Sequence, residues 1–145
     1  SLVMELLQTT LCYLEKDGAY LMLHRVKKKN DVNHDKWVGV GGKFEPGEDA
    51  PACALREVRE ETGLEVRLQS GFRQMVEYFP KPNVKKQVVY FLGYPGGDDT
   101  VKRQEEEISE YQWCLLDDAD GMVTFRNDKN LINEAKRFLA KDREH

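Results

Sequence analysis

The sequence predicts an α/β fold in which a sheet is packed between helices. Three observations carry this expectation. Short apolar, aromatic-rich runs bounded by turn residues outnumber helical stretches, residues 49–62 show apolar positions at helical spacing, and residues 130–140 do so again. Taken in order, runs 10–14 and 20–23 flank Lys16-Asp17-Gly18, a turn signal that predicts a hairpin. Residues 27–35 are polar and charge-dense without periodicity, which predicts a loop. After residues 37–40, the density of Gly41, Gly42, Pro46 and Gly47 predicts an irregular loop. The helix over 49–62 follows, with Asp49 suited to the N-cap, Pro51 to the first turn and Gly63 to a left-handed residue past the end. At about 100° per residue with Glu57 at zero, Ala52, Leu55, Val58 and Thr62 fall between about 100° and 220°, while Glu60 and Glu61 fall near 300° and 40°. That arithmetic predicts an apolar face opposite three carboxylates. Residues 72–79 and 87–94 are predicted strands joined through Pro80-Lys81-Pro82-Asn83, and 111–116 is a further strand. Leu131, Ile132, Ala135, Phe138 and Leu139 predict a closing amphipathic helix.

The length of 145 residues predicts a single domain over 1–145, long enough to bury a core without disulfide or metal staples. With 40% hydrophobic and 33% charged residues, 5 Pro and 11 Gly, the composition excludes collagen-like, mucin-like and disordered classes. No run approaches the roughly 20 apolar residues of a membrane helix. Residues 2–14 are interrupted by Glu5, Gln8 and Thr9 and lack a basic lead-in, so neither a signal peptide nor an anchor is expected. The expectation is a cytoplasmic protein with no membrane partner, a monomer or homodimer. Cys12, Cys53 and Cys114 are odd in number, widely spaced and without C-x-x-C, so they are expected to be packing residues rather than disulfide or zinc ligands. The net charge of −4 argues against nucleic acid as a partner.

Glu57, Glu60 and Glu61 on one helix are costly, because like charges three or four residues apart repel by a few tenths of a kcal/mol per pair. A ligand that favours them resolves the cost. Oxygen donors converging from one helix, after a glycine-rich loop whose carbonyls can approach closely, suit a hard divalent cation such as Mg²⁺ or Mn²⁺. Such a cation is commonly completed by waters and substrate phosphate oxygens, and a metal-bound water can attack phosphorus while a carboxylate takes its proton.

Gly42, then Glu48, then Arg56-Glu57-Val58-Arg59-Glu60-Glu61-Thr62-Gly63-Leu64 resembles the complete Nudix box, G-x5-E-x7-R-E-U-x-E-E-x-G-U, with U aliphatic. At average residue usage the match arises by chance at on the order of one in a billion starting positions. The resemblance implies a Nudix-type α/β/α sandwich with a mixed sheet and a loop–helix–loop catalytic module. It also implies Mg²⁺- or Mn²⁺-dependent hydrolysis of a nucleoside diphosphate linked to another moiety. By position, Glu57, Glu60 and Glu61 would be metal ligands, with Glu57 or Glu60 also a candidate base. Arg56 would orient a glutamate through a bidentate pair, and Glu48 would hold the loop against the helix or contact metal through water. The carbonyl of Gly41 or Gly42 would be a further ligand, since glycine permits unusual backbone geometry. A later glutamate often joins the site in this family, and Glu105, Glu106 and Glu107 are the candidates, with Glu106 taken as the representative.

The substrate signals divide along the chain. Residues 10–25 with Trp37-Val38-Gly39-Val40-Gly41-Gly42-Lys43-Phe44-Glu45 resemble MutT-type nucleoside triphosphate pyrophosphohydrolases, including those acting on 8-oxo-dGTP. Ser70-Gly71-Phe72-Arg73, Glu77-Tyr78-Phe79, the run 86–92 and Glu110-Tyr111-Gln112-Trp113 are similar to asymmetric diadenosine tetraphosphate hydrolases, although the Pro-Pro-Lys-Gly-His segment common before the box there is absent. The first expectation is a MutT-like pyrophosphohydrolase, the second a dinucleoside polyphosphate hydrolase. A non-catalytic nucleotide sensor is disfavoured by the intact box. Candidate substrate contacts are Lys43, Lys86 and the neighbouring Tyr78 and Tyr90, for phosphate charge and base stacking. Asn127 or Asp128, in a place comparable to a base-reading residue of MutT-like proteins, completes the set. Setting aside Glu48, Glu57, Glu60, Glu61 and Glu105 to Glu107 leaves 19 of the 26 acidic residues against 22 basic ones, so the acidity concentrates where cations are expected.

Overall fold

The computed structural model describes residues 4–25, 36–97, 100–102 and 108–115. The loop expected at 27–35 and the helix expected at 130–140 lie outside them. In chain order the elements are β1 (Glu5–Lys16), β2 (Ala19–Arg25), β3 (Lys36–Val38), β4 (Val40–Lys43), α1 (Ala50–Thr62), β5 (Val66–Leu68), β6 (Gln74–Lys81), β7 (Val84–Pro95) and β8 (Ile108–Leu115). The strands form one mixed sheet of eight among the described residues.

β1 organises that sheet. Its turn to β2 is the expected two-residue Asp17-Gly18 connection, with φ of 51° and 83°, and Gly18 N donates to Glu15 Oε1 at 2.7 Å. β7 runs parallel to β1 from the Glu5↔Val84 pair to Leu14↔Gly93, while β4 lies antiparallel on the other side, from Thr9↔Lys43 to Cys12↔Val40. β6 and β5 pair antiparallel with β7, and β8 and β3 with β2. Turn residue Asn83, at φ 65°, reverses the chain between β6 and β7.

The period-2 alternation of the strands divides the core into two layers. Cys12, Leu14, Val89 and Phe91 face α1 and pack with Ala50, Ala54, Val58 and Leu64. Tyr13, Val88, Tyr90 and Leu92 point the other way and pack with Tyr20, Met22, Phe72 and Cys114.

Two expectations are corrected. Gly41 and Gly42 belong to strand β4, not to an irregular loop, and neither takes a positive φ. Their lack of a side chain serves close approach instead: a Cβ on Gly41 would run into the Thr10 carbonyl of β1. The helix also docks on a face rotated from the predicted one, sharing only Val58 and Thr62 with it. Ala50, Cys53, Ala54, Val58, Glu61 and Thr62 are buried, an arc from about 320° to about 140° on the same clock, whereas Ala52 is exposed and Leu55 half-buried. Small side chains at 50, 53 and 54 let the helix axis come close to β1 and β4, so the inward arc contains Glu61 and runs past Glu57 rather than opposing them.

Candidate active site

The loop before α1 is shaped by its own sequence. Pro46 and Gly47, the latter at φ 79°, occupy the centre of a turn closed by Glu48 N donating to Glu45 O at 3.0 Å. Glu48 Oε1 accepts from Glu45 N at 3.0 Å, which locks the same turn from its side chain. Asp49 caps the helix, its Oδ1 accepting from Ala52 N at 2.9 Å, and Gly63 ends it at φ 74° with its N–H on Arg59 O. Past that end, Lys102 N donates to Thr62 O at 2.7 Å and the Lys102 side chain lies against Gly63.

Arg56 is the hub. Nε and Nη2 donate to the two oxygens of Glu48 at 2.7 and 3.0 Å, a bidentate pair. Nη2 also reaches the Lys43 carbonyl of β4 at 2.9 Å. Nη1 donates to Glu57 Oε1 at 2.7 Å and to Glu60 Oε2 at 3.0 Å, and Glu45 stands 3.6 Å from Nε. The guanidinium therefore ties loop, strand and helix together, and these bonds drive its pKa above the ordinary value despite partial desolvation. The Arg56 hydrogen bond, the backbone N–H of Glu45 and the guanidinium charge hold the Glu48 carboxyl down at about 2. Of the two roles expected for Glu48, its bonds are those of the tether.

Glu57 is largely shielded, with its side chain 15% exposed, and its carboxylate fills the space that a Cβ on Gly42 would take. Burial raises its pKa, opposed by Arg56. Glu60 is 56% exposed and Glu61 is buried. Among the described residues no three His, Cys, Asp or Glu side chains gather round one point as ligands, since the carboxylates are strung along Arg56 instead. The donor chemistry nevertheless fits a hard divalent cation. Arg56 occupies one oxygen each of Glu57 and Glu60, and the second oxygen of each has no protein partner among the described residues.

The other expected contacts separate in space. Lys43 is exposed beside the Arg56 cluster. Tyr78 and Lys86 pair across β6 and β7, with Nζ 5.8 Å from the ring centroid and the ring 38% exposed. By strand alternation they stand on the sheet face turned away from α1. Tyr90 lies on that face too, but it is 4% exposed and stacked on Tyr13 at 6.3 Å between centroids. It is a core residue and presents no free ring to a base, which corrects the expectation. Glu106, Asn127 and Asp128 lie outside the described residues.

Two junctions were not anticipated. Cys53, grouped with the packing cysteines, has polar contacts to Thr10, Gly42 and Arg56, and its signal was the helical i, i+3 spacing to Arg56. The docking of Val101 and Lys102 on the end of α1 had no sequence signal.

A family model described as NUDIX domain matches residues 6–141. An asymmetrical bis(5'-nucleosyl)-tetraphosphatase from Sus scrofa is 32% identical over 120 residues, which is 79% of this chain and 78% of the relative. Among solved structures, a Caenorhabditis elegans Ap4A hydrolase binary complex superimposes with a TM-score of 0.76 at 23% identity, covering 94% of this chain and 98% of that one. The MutT protein from Methanosarcina mazei Go1 gives 0.75 at 28% identity, covering 94% and 97%.

Proposed function

The chain belongs to the NUDIX domain family and has its α/β fold, and from that premise we propose that this Nudix hydrolase cleaves dinucleoside tetraphosphates asymmetrically with a divalent cation, Mg²⁺ or Mn²⁺. The observation that carries the substrate is the tetraphosphatase relative, similar over nearly four-fifths of both chains. It reverses the order of the two readings drawn from the sequence. Triphosphate cleavage of the MutT kind is the second reading, favoured by the M. mazei neighbour and by the segment 37–45. The family match over 6–141 supports treating 1–145 as one catalytic unit.

In this reading Glu57, Glu60 and Glu61, with a backbone carbonyl of Gly41 or Gly42, hold the cation. When bound, the cation would neutralise phosphate charge and make the attacking water easier to deprotonate. Arg56 fixes two of those carboxylates relative to each other through a single nitrogen, and Glu48 fixes Arg56. The proton of the attacking water passes to a carboxylate oxygen of Glu57 or Glu60, the one that Arg56 does not hold. The exposed Lys43 offers a charge to the phosphate chain, and the Tyr78–Lys86 pair offers a ring and a cation to a nucleoside. Water adds to one phosphorus, the bridging P–O bond breaks, and a nucleoside triphosphate and a nucleoside monophosphate leave.

Purified protein with Mg²⁺, offered diadenosine tetraphosphate, 8-oxo-dGTP and ordinary nucleoside triphosphates, tests the assignment by chromatography of the products. ATP plus AMP from the dinucleotide, with little triphosphate cleavage, is expected. Monophosphate plus pyrophosphate from the triphosphates alone would establish the second reading in its place.

A further inference from the structure

The thiol of Cys53 lies in the seam between α1, β1 and β4, and the reaction above leaves it unused. Its Sγ is 3.2 Å from Thr10 Oγ1, donates to the Gly42 carbonyl at 3.7 Å and accepts from Arg56 Nη2 at 3.8 Å. Thr10 donates to the sulfur and the sulfur donates to Gly42, while Arg56 Nη2, whose two hydrogens already serve Glu48 and Lys43, shares one of them weakly with the sulfur. Thr10 and Gly42 are themselves register partners, so the thiol closes a three-element junction directly behind the Glu57 carboxylate.

The geometry of that junction matters because it adds a tie between the guanidinium and β4 beside the Arg56 bond to the Lys43 carbonyl. Gly42 has no side chain with which to hold Glu57 at a distance, and the Arg56 nitrogen that grips Glu57 also grips Glu60, so a tilt of the guanidinium moves both. We propose that Cys53 is a positioning residue, which sets the gap between the Glu57 carboxylate and the β4 backbone through Arg56 and Gly42, and with it the grip of the carboxylates on a divalent cation. The inference rests on reading Glu57 and Glu60 as cation-holding residues.

The test compares Cys53→Ala, Cys53→Ser and Thr10→Val with the wild-type chain. Mn²⁺ affinity is measured by electron paramagnetic resonance without substrate, the Arg56 Nε–H resonance by NMR in metal-free protein, and kcat and KM on the nucleotide that the product assay selects. Cys53→Ala is expected to weaken Mn²⁺ binding and lower kcat, each roughly three- to tenfold, with KM within about twofold and a shifted Arg56 resonance. Cys53→Ser, which keeps a donor and an acceptor, recovers most of both, and Thr10→Val reproduces part of the loss if the alanine variant folds poorly. Wild-type Mn²⁺ affinity in Cys53→Ala, or a serine variant no better than alanine, overturns the proposal. A wild-type chain that binds Mn²⁺ but cleaves none of the nucleotides removes the substrate assignment alone, because the binding comparison still decides the role of Cys53. A wild-type chain that binds no Mn²⁺ removes both.

Discussion

Replacing Arg56 by lysine keeps the charge and removes the fork. Arg56 makes five hydrogen bonds to oxygen: two to Glu48, one to Lys43 O and one each to Glu57 and Glu60. A lysine ammonium has three donors on one atom and cannot grip both Glu48 oxygens while reaching Glu57 and Lys43. At least two bonds are lost. Bonds to charged groups are worth about 1.5–3 kcal/mol each, so the loss starts at about 3–6 kcal/mol. Arg56 is 19% exposed and Glu60 56% exposed, and solvent screening brings the expected cost down to about 2–3 kcal/mol. For a chain of this size that lowers Tm by roughly 4–12 °C. The carboxylates that share Nη1 shift with it, and displacement of about 1 Å costs on the order of a hundredfold in kcat. Thermal unfolding of metal-free protein reads the first effect, and initial rates at saturating Mg²⁺ read the second. Wild-type values of both would refute the hub. So would strict additivity between Arg56→Lys and Glu48→Gln, since partners in one network must couple.

Three further outcomes are expected. Gly42→Ala puts a methyl group where the Glu57 carboxylate lies; the flexible end of Glu57 yields, so Tm stays within about 3 °C while kcat falls on the order of a hundredfold. An unchanged kcat would show that the position of Glu57 is immaterial. Tyr90→Ala empties a buried, stacked site and should cost about 3–5 kcal/mol of stability; a raised KM with unchanged Tm would return Tyr90 to the substrate. Glu48 makes the acid limb of the stability curve steeper. Its folded-state pKa, about 2, lies below the ordinary 4.5, so its contribution is complete above about pH 4.5 and is lost as pH falls towards 2. Unfolding of metal-free wild type and Glu48→Gln should therefore converge between pH 5 and about 2. A stability difference independent of pH over that range would contradict the ion pair.

Local signals made the α/β architecture legible, and they failed where tertiary contact decides. Asp49, Pro51 and Gly63 marked the ends of α1 because caps answer to backbone hydrogen-bonding needs within a few residues. Asp17-Gly18 marked the hairpin for the same reason. The predicted burial face of α1 shares only Val58 and Thr62 with the observed one, because the sheet selects Ala50, Cys53 and Ala54, the small residues that let the helix come close. β4 is not legible in the sequence because paired glycines signal a turn unless a neighbouring backbone, here Thr10 of β1, requires their smallness. β5, three residues long, is defined by its pairing with β7 and carries no periodicity of its own. Within the candidate site, residue identities came from spacing within one motif. The Arg56 bond to Lys43, the Cys53 contacts to Thr10 and Gly42, and the burial of Tyr90 depend on which strands are adjacent.

The parallel union of β1 with β7 bears on the order in which the molecule is made. During synthesis the run from Gly42 to Leu64 leaves the ribosome complete, yet the sheet layer beneath α1 needs Val89 and Phe91, which follow some 25 residues later. Until β7 arrives, β1 has an open edge and the core layer under α1 lacks Val89 and Phe91. Pairings this distant in sequence close slowly, so the core layer shared with the carboxylate-bearing helix is completed by a late strand. A chain cut between Leu68 and Val84 would carry every residue of the motif, together with β1 and β4 beneath the helix, but would leave the β7-pairing edge of β1 open.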